Sequence, residues 1–299
     1  MVKTGSHYFL SRPRRFGKSL LISTLEAYFL GKKELFEGLA MEKLAKDWIT
    51  YPIFHIDLNT EKYDTRESLD SILNFTLEKW EQQYGTAPSE TTFALRFRGL
   101  IERAYEQTGQ RVVILIDEYD KPMLQAIGNE ELQKEFRNTM KAFYSVLKTM
   151  DGCIQFAFLT GVTKFGKVSV FSDLNNLDDI SMRKQYVDIC GVSEKELHDN
   201  LEIELHELAD AKELTYGELC NRLREYYDGY HFTYNSIGIY NPFSLLNTFK
   251  YREFGSYWFE TGTPTYLVEL LKKHHYDLER MAHEETSVAV LNSIDSTSD

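Results

Sequence analysis

The sequence predicts an α/β fold in which helices sandwich a parallel sheet, followed by an α-helical domain. Up to residue 191, short apolar segments alternate with longer segments of helical periodicity, as in doubly wound sheets. Residues 112–116 are all apolar, which is typical of a strand buried on both faces of such a sheet. After Gly191, helical patterns succeed one another without strands between them. We therefore expect a core at residues 1–191 and a helical domain at residues 192–299.

Each expected element has its own signal in the sequence. Strands end at turn residues or acids, and helices follow where apolar residues recur every three or four positions. Ser89 is the expected N-cap of one helix, because a serine side chain accepts a backbone hydrogen bond there. Strands are predicted at residues 7–11, 51–58, 112–116, 153–159 and 185–190. Helices are predicted at residues 20–29, 65–84, 89–107, 130–150, 193–209, 215–227, 242–249 and 256–274.

The composition limits the kind of protein this is. The 299 residues, 42% of them hydrophobic, are enough for one large core and a smaller domain. A net charge of −12 disfavours direct binding to nucleic acid. Cys153, Cys190 and Cys220 are widely spaced and odd in number, which indicates a reducing compartment rather than a disulfide framework. No apolar run is long enough to cross a bilayer and no signal peptide is evident, so we expect a cytoplasmic protein with no membrane partner.

The stretch "LSRPRRFGKS", residues 10–19, is one residue away from the phosphate-binding loop pattern G-x-x-x-x-G-K-[ST]. Such a loop uses backbone N–H groups and a helix N-terminus to bind phosphate, a lysine charge, and a hydroxyl for Mg²⁺. Arg12 stands where the first glycine should be, and Pro13 restricts it to an extended conformation. The alternative is a basic surface turn. The predicted nucleotide-binding residues are Arg14, Arg15, Phe16, Gly17, Lys18, Ser19 and Leu20.

Acids follow the apolar strand at residues 112–116. A nucleotide hydrolase of this type needs one carboxylate for Mg²⁺, a role predicted for Asp117, and one to activate water, predicted for Glu118. The alternative is a strand that ends in solvated acids. Magnesium is assigned to Ser19 and Asp117, and the catalytic residues are expected to be Glu118, Lys18 and Thr160.

Several nearby residues have more than one role that fits the sequence. Thr160, at the end of the next strand, is placed to sense the γ-phosphate or position water, or it simply ends the strand. Thr163 and Lys164 are alternatives to it. Tyr119 and Asp120 either line the pocket or cap the following helix, and Arg183 is a weaker candidate for a charge-neutralising finger than for a solvated side chain. ATP is preferred to GTP because the sequence has no Asn-Lys-x-Asp element.

Four segments together resemble the AAA-ATPase-like family of bacterial proteins: "YFLSRPRRFGKSLLISTLEAYFLGKKELFEGL", "VILIDEYDKP", "FLTGVTKFGKVSVFSDLNNLDDIS" and "YYDGYHF…YNPFSLLNTF". The resemblance implies a P-loop NTPase fold of the ASCE, AAA+-like type, with residues 1–191 as the ATPase core and residues 192–299 as a helical lid. It implies phosphate contacts at Gly17, Lys18 and Ser19, and magnesium and water roles at Asp117 and Glu118. In this family Arg12 belongs to the usual loop.

Family members commonly continue into a PD-(D/E)XK nuclease-like domain, which we expect to be missing here. No Pro-Asp pair occurs, and Asp210-Ala-Lys212 falls in an expected helix. The "STSD" tail and the first residues suggest cut ends. Nucleic acid would then be contacted only indirectly, through the missing nuclease-like domain. The sequence does not decide whether the chain forms a homo-oligomer or binds a protein partner.

The leading hypothesis is Mg²⁺-dependent ATP binding and hydrolysis. A nucleotide-dependent switch or scaffold with little hydrolysis is the second, and a P-loop kinase for a small acceptor is the third, although Glu118 argues against it. In the helical region, residues 261–267 or Asn241–Pro242 are candidates to approach nucleotide, whereas residues 226–232 are expected to pack between domains. His274, His275 and His283 match no metal-ligand spacing.

Overall fold

The computed structural model describes residues 1–2, 7–164 and 176–257, which fall into two compact units. Of these residues, the first unit contains 1–2, 7–11, 22–164 and 176–178. The second contains 12–21 and 179–257. The predicted helix at 256–274, the turn at 261–267 and the three C-terminal histidines lie almost wholly outside the described residues.

The first unit is built on a five-stranded sheet with helices on both faces, which confirms the predicted α/β class. The strand order is β2-β3-β4-β1-β5, and the β1/β4, β2/β3 and β3/β4 pairs are parallel. The strands are β1 (His7–Ser11), β2 (Ile53–Asp57), β3 (Val112–Asp117), β4 (Ile154–Gly161) and the short β5 (Asp178–Asp179). Because the pairs are parallel, the carboxyl ends of β1, β4 and β3 lie along one edge, where ligands bind in such sheets.

Helices and short 3-10 turns connect these strands. The helix α1 starts in the second unit and continues into the first. The α-helices are α1 (Lys18–Phe29), α2 (Ala40–Leu44), α3 (Arg66–Tyr84), α4 (Phe93–Thr108), α5 (Lys121–Gln125), α6 (Glu130–Tyr144) and α7 (Val146–Thr149). The 3-10 helices are Lys33–Phe36 and Asp151–Cys153.

Alternate residues of β4 pack on opposite faces of the sheet. On one face, Phe156 contacts Phe29 of α1 at a ring-centroid distance of 5.0 Å. On the other, Ala157 and Leu159 join the main hydrophobic core, in which Phe97 of α4 stacks on Phe143 of α6. The apolar residues of β3 are fully buried. The absence of polar alternation at 112–116 therefore correctly predicted a central strand.

Helix α4 begins four residues later than predicted. Its N-cap is Thr92, whose side chain accepts a hydrogen bond from Leu95 N, so the prediction of Ser89 as cap is wrong. Residues near Ser89 instead form turns, with Glu90 N donating to Ala87 O and Thr91 N donating to Ser89 O. Both candidate residues have a hydroxyl that can cap a helix, so the sequence alone did not decide between them.

The second unit is mainly helical but also contains a small antiparallel sheet. Its strands are β6 (Val192–Ser193) and β7 (Ile239–Tyr240), which corrects the expectation of helices without strands. Its helices are α8 (Glu194–Asn200), α9 (Glu202–Ala211), α10 (Tyr216–Tyr227) and α11 (Pro242–Tyr251), with a 3-10 helix at Lys184–Tyr186. Ser193 and Thr215 each form a capping box, so the starts of α8 and α10 are defined by local sequence.

The predicted fifth strand at residues 185–190 is wrong. This segment forms successive turns, in which Tyr186 N donates to Arg183 O and Ile189 N donates to Tyr186 O. The fifth strand of the sheet is Asp178–Asp179 instead. Within the described part of the chain, no helix is long and apolar enough to cross a membrane.

Candidate functional site

The loop that follows β1 leads directly into helix α1. Two of its residues have left-handed backbone conformations, Arg15 with φ 68° and Gly17 with φ 88°. A Cβ atom at Gly17 would meet nothing within 4 Å, so the conformation and not the lack of space requires glycine there. Leu21 N donates to Gly17 O at 3.0 Å, which forms the first turn of the helix. The first turn contains no acidic residue, so its N–H groups are suited to an anion.

Lys18 is buried and folds back onto its own loop. Its Nζ donates to Arg12 O at 3.0 Å and to Pro13 O at 3.3 Å. Ser19, next along the helix, is exposed. The lysine charge and the serine hydroxyl predicted for phosphate and magnesium are therefore adjacent at the start of α1.

The other predicted loop residues differ in exposure. Arg14 and Arg15 are exposed, and the guanidinium of Arg15 lies 4.6 Å from the ring centre of Phe243. Leu20 is 71% exposed. The side chain of Phe16 is buried, so only its backbone remains for a phosphate contact.

An aromatic cluster fixes Phe16. Its ring contacts those of Tyr230 and Phe232 edge-on, with centroid distances of 4.7 and 5.5 Å. These two residues belong to the segment 226–232, which the sequence predicted to pack between domains. Within the second unit, both rings pack against Phe16 of the loop.

Arg12 is also buried and does not behave as a loop glycine. Its guanidinium donates to Ser181 O at 2.7 Å and to Tyr186 O at 2.8 Å, and lies 3.9 Å from the ring centre of Phe232. Burial lowers the Arg12 pKa to about 10, while Cys190, Asp179 and Asp188 act in the opposite direction. Arg12 therefore remains charged at neutral pH. Its backbone stays outside the left-handed region, as Pro13 predicts.

The acidic group lies in the first unit, at the carboxyl end of β3. Asp117 is 3% exposed, and its Oδ1 accepts a hydrogen bond of 2.5 Å from Thr160 Oγ1. Thr160 is fully buried near the end of β4, where it is paired with Leu10 of β1. The hydroxyl thus orients the carboxylate that the sequence assigned to magnesium.

Glu118 follows with a left-handed backbone, φ 54°, and a partly exposed side chain. A residue other than glycine in this conformation is strained, and such strain is concentrated at functional sites. The main chain then returns to β4, because Tyr119 N donates to Thr160 O at 2.8 Å.

Asp120 has a role that the sequence did not reveal. Its fully buried carboxylate accepts hydrogen bonds from Val162 N, from Thr163 N at 2.7 Å and from Thr163 Oγ1 at 2.9 Å. Asp120 occupies the N-cap position of α5, as the capping alternative proposed, but its side chain makes no capping bond to that helix. Burial raises the Asp120 pKa to about 6, and the Glu118 charge acts in the same direction. Residues 117–120 and 160–163 are thereby joined into one structure, called here the strand-end clamp.

The remaining candidates have ordinary structural positions. Asn241 caps helix α11, accepting a hydrogen bond from Ser244 N at 2.9 Å, and Arg183 is exposed. Lys164 is half-buried beyond the strand-end clamp. No sequence signal distinguishes the buried Arg12 from the exposed Arg14, apart from the proline that follows Arg12.

Comparisons with known proteins found a family model and a relative that match this chain. A family model described as predicted AAA-ATPase matches residues 1–171. The chain is also 42% identical over 272 residues to an uncharacterized protein from the vnfD 5′ region of Azotobacter chroococcum mcd 1. That alignment covers 91% of this chain and 50% of the relative, so the chain spans half the length of the protein it matches. No solved structure matches this chain.

Proposed function

The chain belongs to the AAA-ATPase-like family, and from this premise we propose that it binds ATP with Mg²⁺ and hydrolyses the nucleotide. The observation that carries the proposal is the start of α1. A left-handed glycine, a buried lysine and an exposed serine follow the first strand of a parallel sheet within eight residues of its end. This order of residue types and elements is what phosphate binding requires.

The residues at the start of α1 fit a triphosphate. Open space lies beside Gly17, and the N–H groups of the first helical turn carry the positive end of the helix dipole. Lys18 supplies a point charge, and Arg14 and Arg15 add exposed positive charge nearby in the chain. Mg²⁺ is usually held by one or two protein oxygens together with substrate phosphates, so Ser19 and Asp117 would be sufficient protein ligands in the proposed site.

In the proposed reaction the loop amides and Lys18 hold the β- and γ-phosphates. When bound, Mg²⁺ neutralises charge on the phosphate oxygens. Glu118 orients the attacking water and accepts its proton. Thr160 acts by holding the Asp117 carboxylate through its hydroxyl, which is a positioning role for the residue predicted to be catalytic.

The proposal extends to the surroundings of this chemistry. Residues 192–299 would respond to the nucleotide state as a lid, and the protein would act in the cytoplasm. ATP turnover would serve a nuclease-like domain outside this chain, or a protein partner or second copy. These parts of the proposal rest on the family resemblance.

The test combines two substitutions. Glu118→Gln is expected to keep Mg-ATP affinity within about twofold while single-turnover hydrolysis falls at least about 100-fold, because a general base of this kind contributes that much. Lys18→Met is expected to weaken affinity about 100-fold, since a charge-assisted phosphate contact is lost. Binding is measured with a fluorescent ATP analogue and hydrolysis with radiolabelled ATP.

Glu106→Gln is the matched control, because Glu106 is exposed on α4 and the change removes the same charge. Unchanged turnover in Glu118→Gln would remove Glu118 from the mechanism. A wild-type chain that binds Mg-ATP but does not hydrolyse it would instead be a nucleotide-dependent switch. A folded chain without affinity for Mg-ATP would contradict the proposal as a whole.

A further inference from the structure

Arg12 occupies the position at which the general phosphate-binding loop has a glycine, and its side chain is 1% exposed. Its guanidinium is held on three sides within the second unit. Two N–H groups donate to the carbonyls of Ser181 and Tyr186, and the plane lies against the ring of Phe232. The rigid, planar fork of arginine suits this arrangement, and the single ammonium of lysine does not reproduce it.

The other end of the same residue contacts the lysine of the loop. The carbonyl oxygen of Arg12 accepts a hydrogen bond from Lys18 Nζ at 3.0 Å, and the next carbonyl, that of Pro13, accepts a second at 3.3 Å. One residue therefore connects the segment at 181–186 with the ammonium group that is proposed to bind phosphate.

We propose that Arg12 is a positioning residue, which fixes the entrance of the loop so that Lys18 is held ready for the phosphates. This inference rests on the proposed function. It assigns to a side-chain anchor the task that other loops of this class perform with a flexible glycine. Residues 15 and 17 supply the left-handed turns of the loop, so position 12 need not.

Two observations argue against a direct phosphate contact for Arg12. Two of its guanidinium N–H groups donate to main-chain carbonyls, and an aromatic ring lies against its face. The positive charge of Arg12 can be reproduced elsewhere in the loop by Arg14 and Arg15, which are exposed. What Arg12 alone provides is a fixed geometry. A displacement of about 1 Å at a binding group can cost about 100-fold in rate, so geometry is sufficient to make the residue matter.

The experiment compares Arg12→Met, Arg12→Lys and Arg12→Gly by competition of ATP with a fluorescent ATP analogue in the presence of Mg²⁺. We expect Arg12→Met to weaken affinity about 10-fold or more and Arg12→Lys to recover part of the loss. Arg12→Gly restores the general loop pattern, yet we expect it to bind as weakly as Arg12→Met. Arg98→Met, which removes an exposed arginine of α4, is the matched control and should change nothing.

A double-mutant cycle distinguishes positioning from general support of the fold. If Arg12 acts through Lys18, Arg12→Met should cost less than about twofold in a Lys18→Met background, because the group it positions is gone. Additive losses in the cycle would overturn the proposal, as would an Arg12→Met chain that folds and binds with wild-type affinity. Arg12→Gly binding as well as wild type would also overturn it.

Phe232→Leu keeps the proposal testable if the Arg12 variants do not fold. It removes the ring beneath the guanidinium and leaves both carbonyl contacts possible. We expect it to weaken affinity about threefold in the wild-type background and not in the Lys18→Met background. An equal loss of affinity in both backgrounds, or no loss in the wild-type background, would contradict the proposal. A wild-type chain that fails to bind Mg-ATP would be a failure of the proposed function, which this comparison separates from a failure of the inference.

Discussion

The carboxylate of Asp120 holds two turns of the first unit together. It is fully buried and accepts main-chain hydrogen bonds from Val162 and Thr163, so its position determines where the chain continues after β4. Its ordinary pKa of 3.8 is raised to about 6, first by burial and then by the Glu118 charge. Hydrogen bonds from Thr163 oppose the rise. The residue thus titrates within an accessible pH range.

This pKa shift predicts a pH-dependent stability. Since the folded chain binds the Asp120 proton more tightly than the unfolded chain does, protonation favours folding. That contribution is fully present below about pH 4 and is lost as the pH rises through about 6. Between these limits the free energy of unfolding of the wild type should increase, relative to that of Asp120→Asn, by roughly 3 kcal/mol as the pH falls. Urea unfolding of both chains from pH 4 to pH 7 measures the difference.

The comparison of two chains cancels the other titrating groups, with one exception. Glu118 lies next to Asp120 in the chain and its charge acts on the Asp120 pKa, so Glu118→Gln should reduce the effect. Tyr144 is also coupled to Asp120, but burial raises its pKa far above this pH range. Parallel stability profiles for wild type and Asp120→Asn would show that Asp120 does not titrate between pH 4 and 7.

Single residues could be selected as candidates when their signal was local. Asp117 and Glu118 stood out because they end a long apolar run, and Lys18 because it follows Gly17. The roles of Arg12 and Asp120 depend on partners 169 and 43 residues away, Ser181 and Thr163. No pattern in the neighbourhood of either residue specifies such a partner.

At the scale of elements, the last residue of β4, Gly161, lies too close to the residues that follow β3 to carry a side chain. A Cβ atom at Gly161 would lie 2.5 Å from the Tyr119 ring and 2.8 Å from Asp120 Oδ1. Both neighbours are fully buried and hydrogen-bonded, so neither can move away without losing hydrogen bonds. The strand-end clamp therefore requires glycine at this position for space.

We expect Gly161→Ala to destabilise the chain by about 1–3 kcal/mol, the usual cost of overpacking a core. It should also lower ATP hydrolysis, because Thr160 precedes it and holds Asp117. Gly152→Ala is the control, since a Cβ there meets nothing within 4 Å and Gly152 lies just before the same strand. Chemical unfolding of the two variants gives the comparison, and equal stabilities would show that the Tyr119 and Asp120 side chains yield easily.

The strands of the sheet were largely predictable and the turns were not. β1, β2, β3 and β4 each contain a run of apolar residues whose burial leaves few alternatives. The segment 185–190 is mostly apolar, but its backbone forms turns, one of which offers the Tyr186 carbonyl to Arg12. A tertiary contact there outweighed a local pattern. The two-residue strands β6 and β7 are too short to have a periodicity.

For the whole molecule, charge is the property that sets possible partners. The net charge of −12 opposes a phosphate backbone, and within the loop Arg12 and Lys18 are buried, which leaves Arg14 and Arg15 at the surface. Two exposed arginines can make few phosphate contacts with a DNA duplex, whereas non-specific binding to a duplex depends on many such contacts. They are enough to assist one nucleotide.

We therefore expect this chain to bind double-stranded DNA with a dissociation constant weaker than about 100 µM at physiological salt. Fluorescence polarisation with a labelled duplex measures it, and a labelled ATP analogue in the same assay shows that the protein is competent. Tighter binding that weakens steeply with added salt would reveal a basic surface that these two arginines do not account for.

The anchoring of Arg12 has a practical consequence for dividing the chain. The family model ends at residue 171, yet the carbonyls of Ser181 and Tyr186 and the ring of Phe232 all come later. A fragment cut at the end of the matched region would keep every residue of the recognised motif and lose the partners that shape it. The smallest fragment suited to nucleotide-binding experiments thus extends beyond residue 232. Transplanting the loop alone into another scaffold would remove the two carbonyl acceptors and the aromatic ring that hold Arg12.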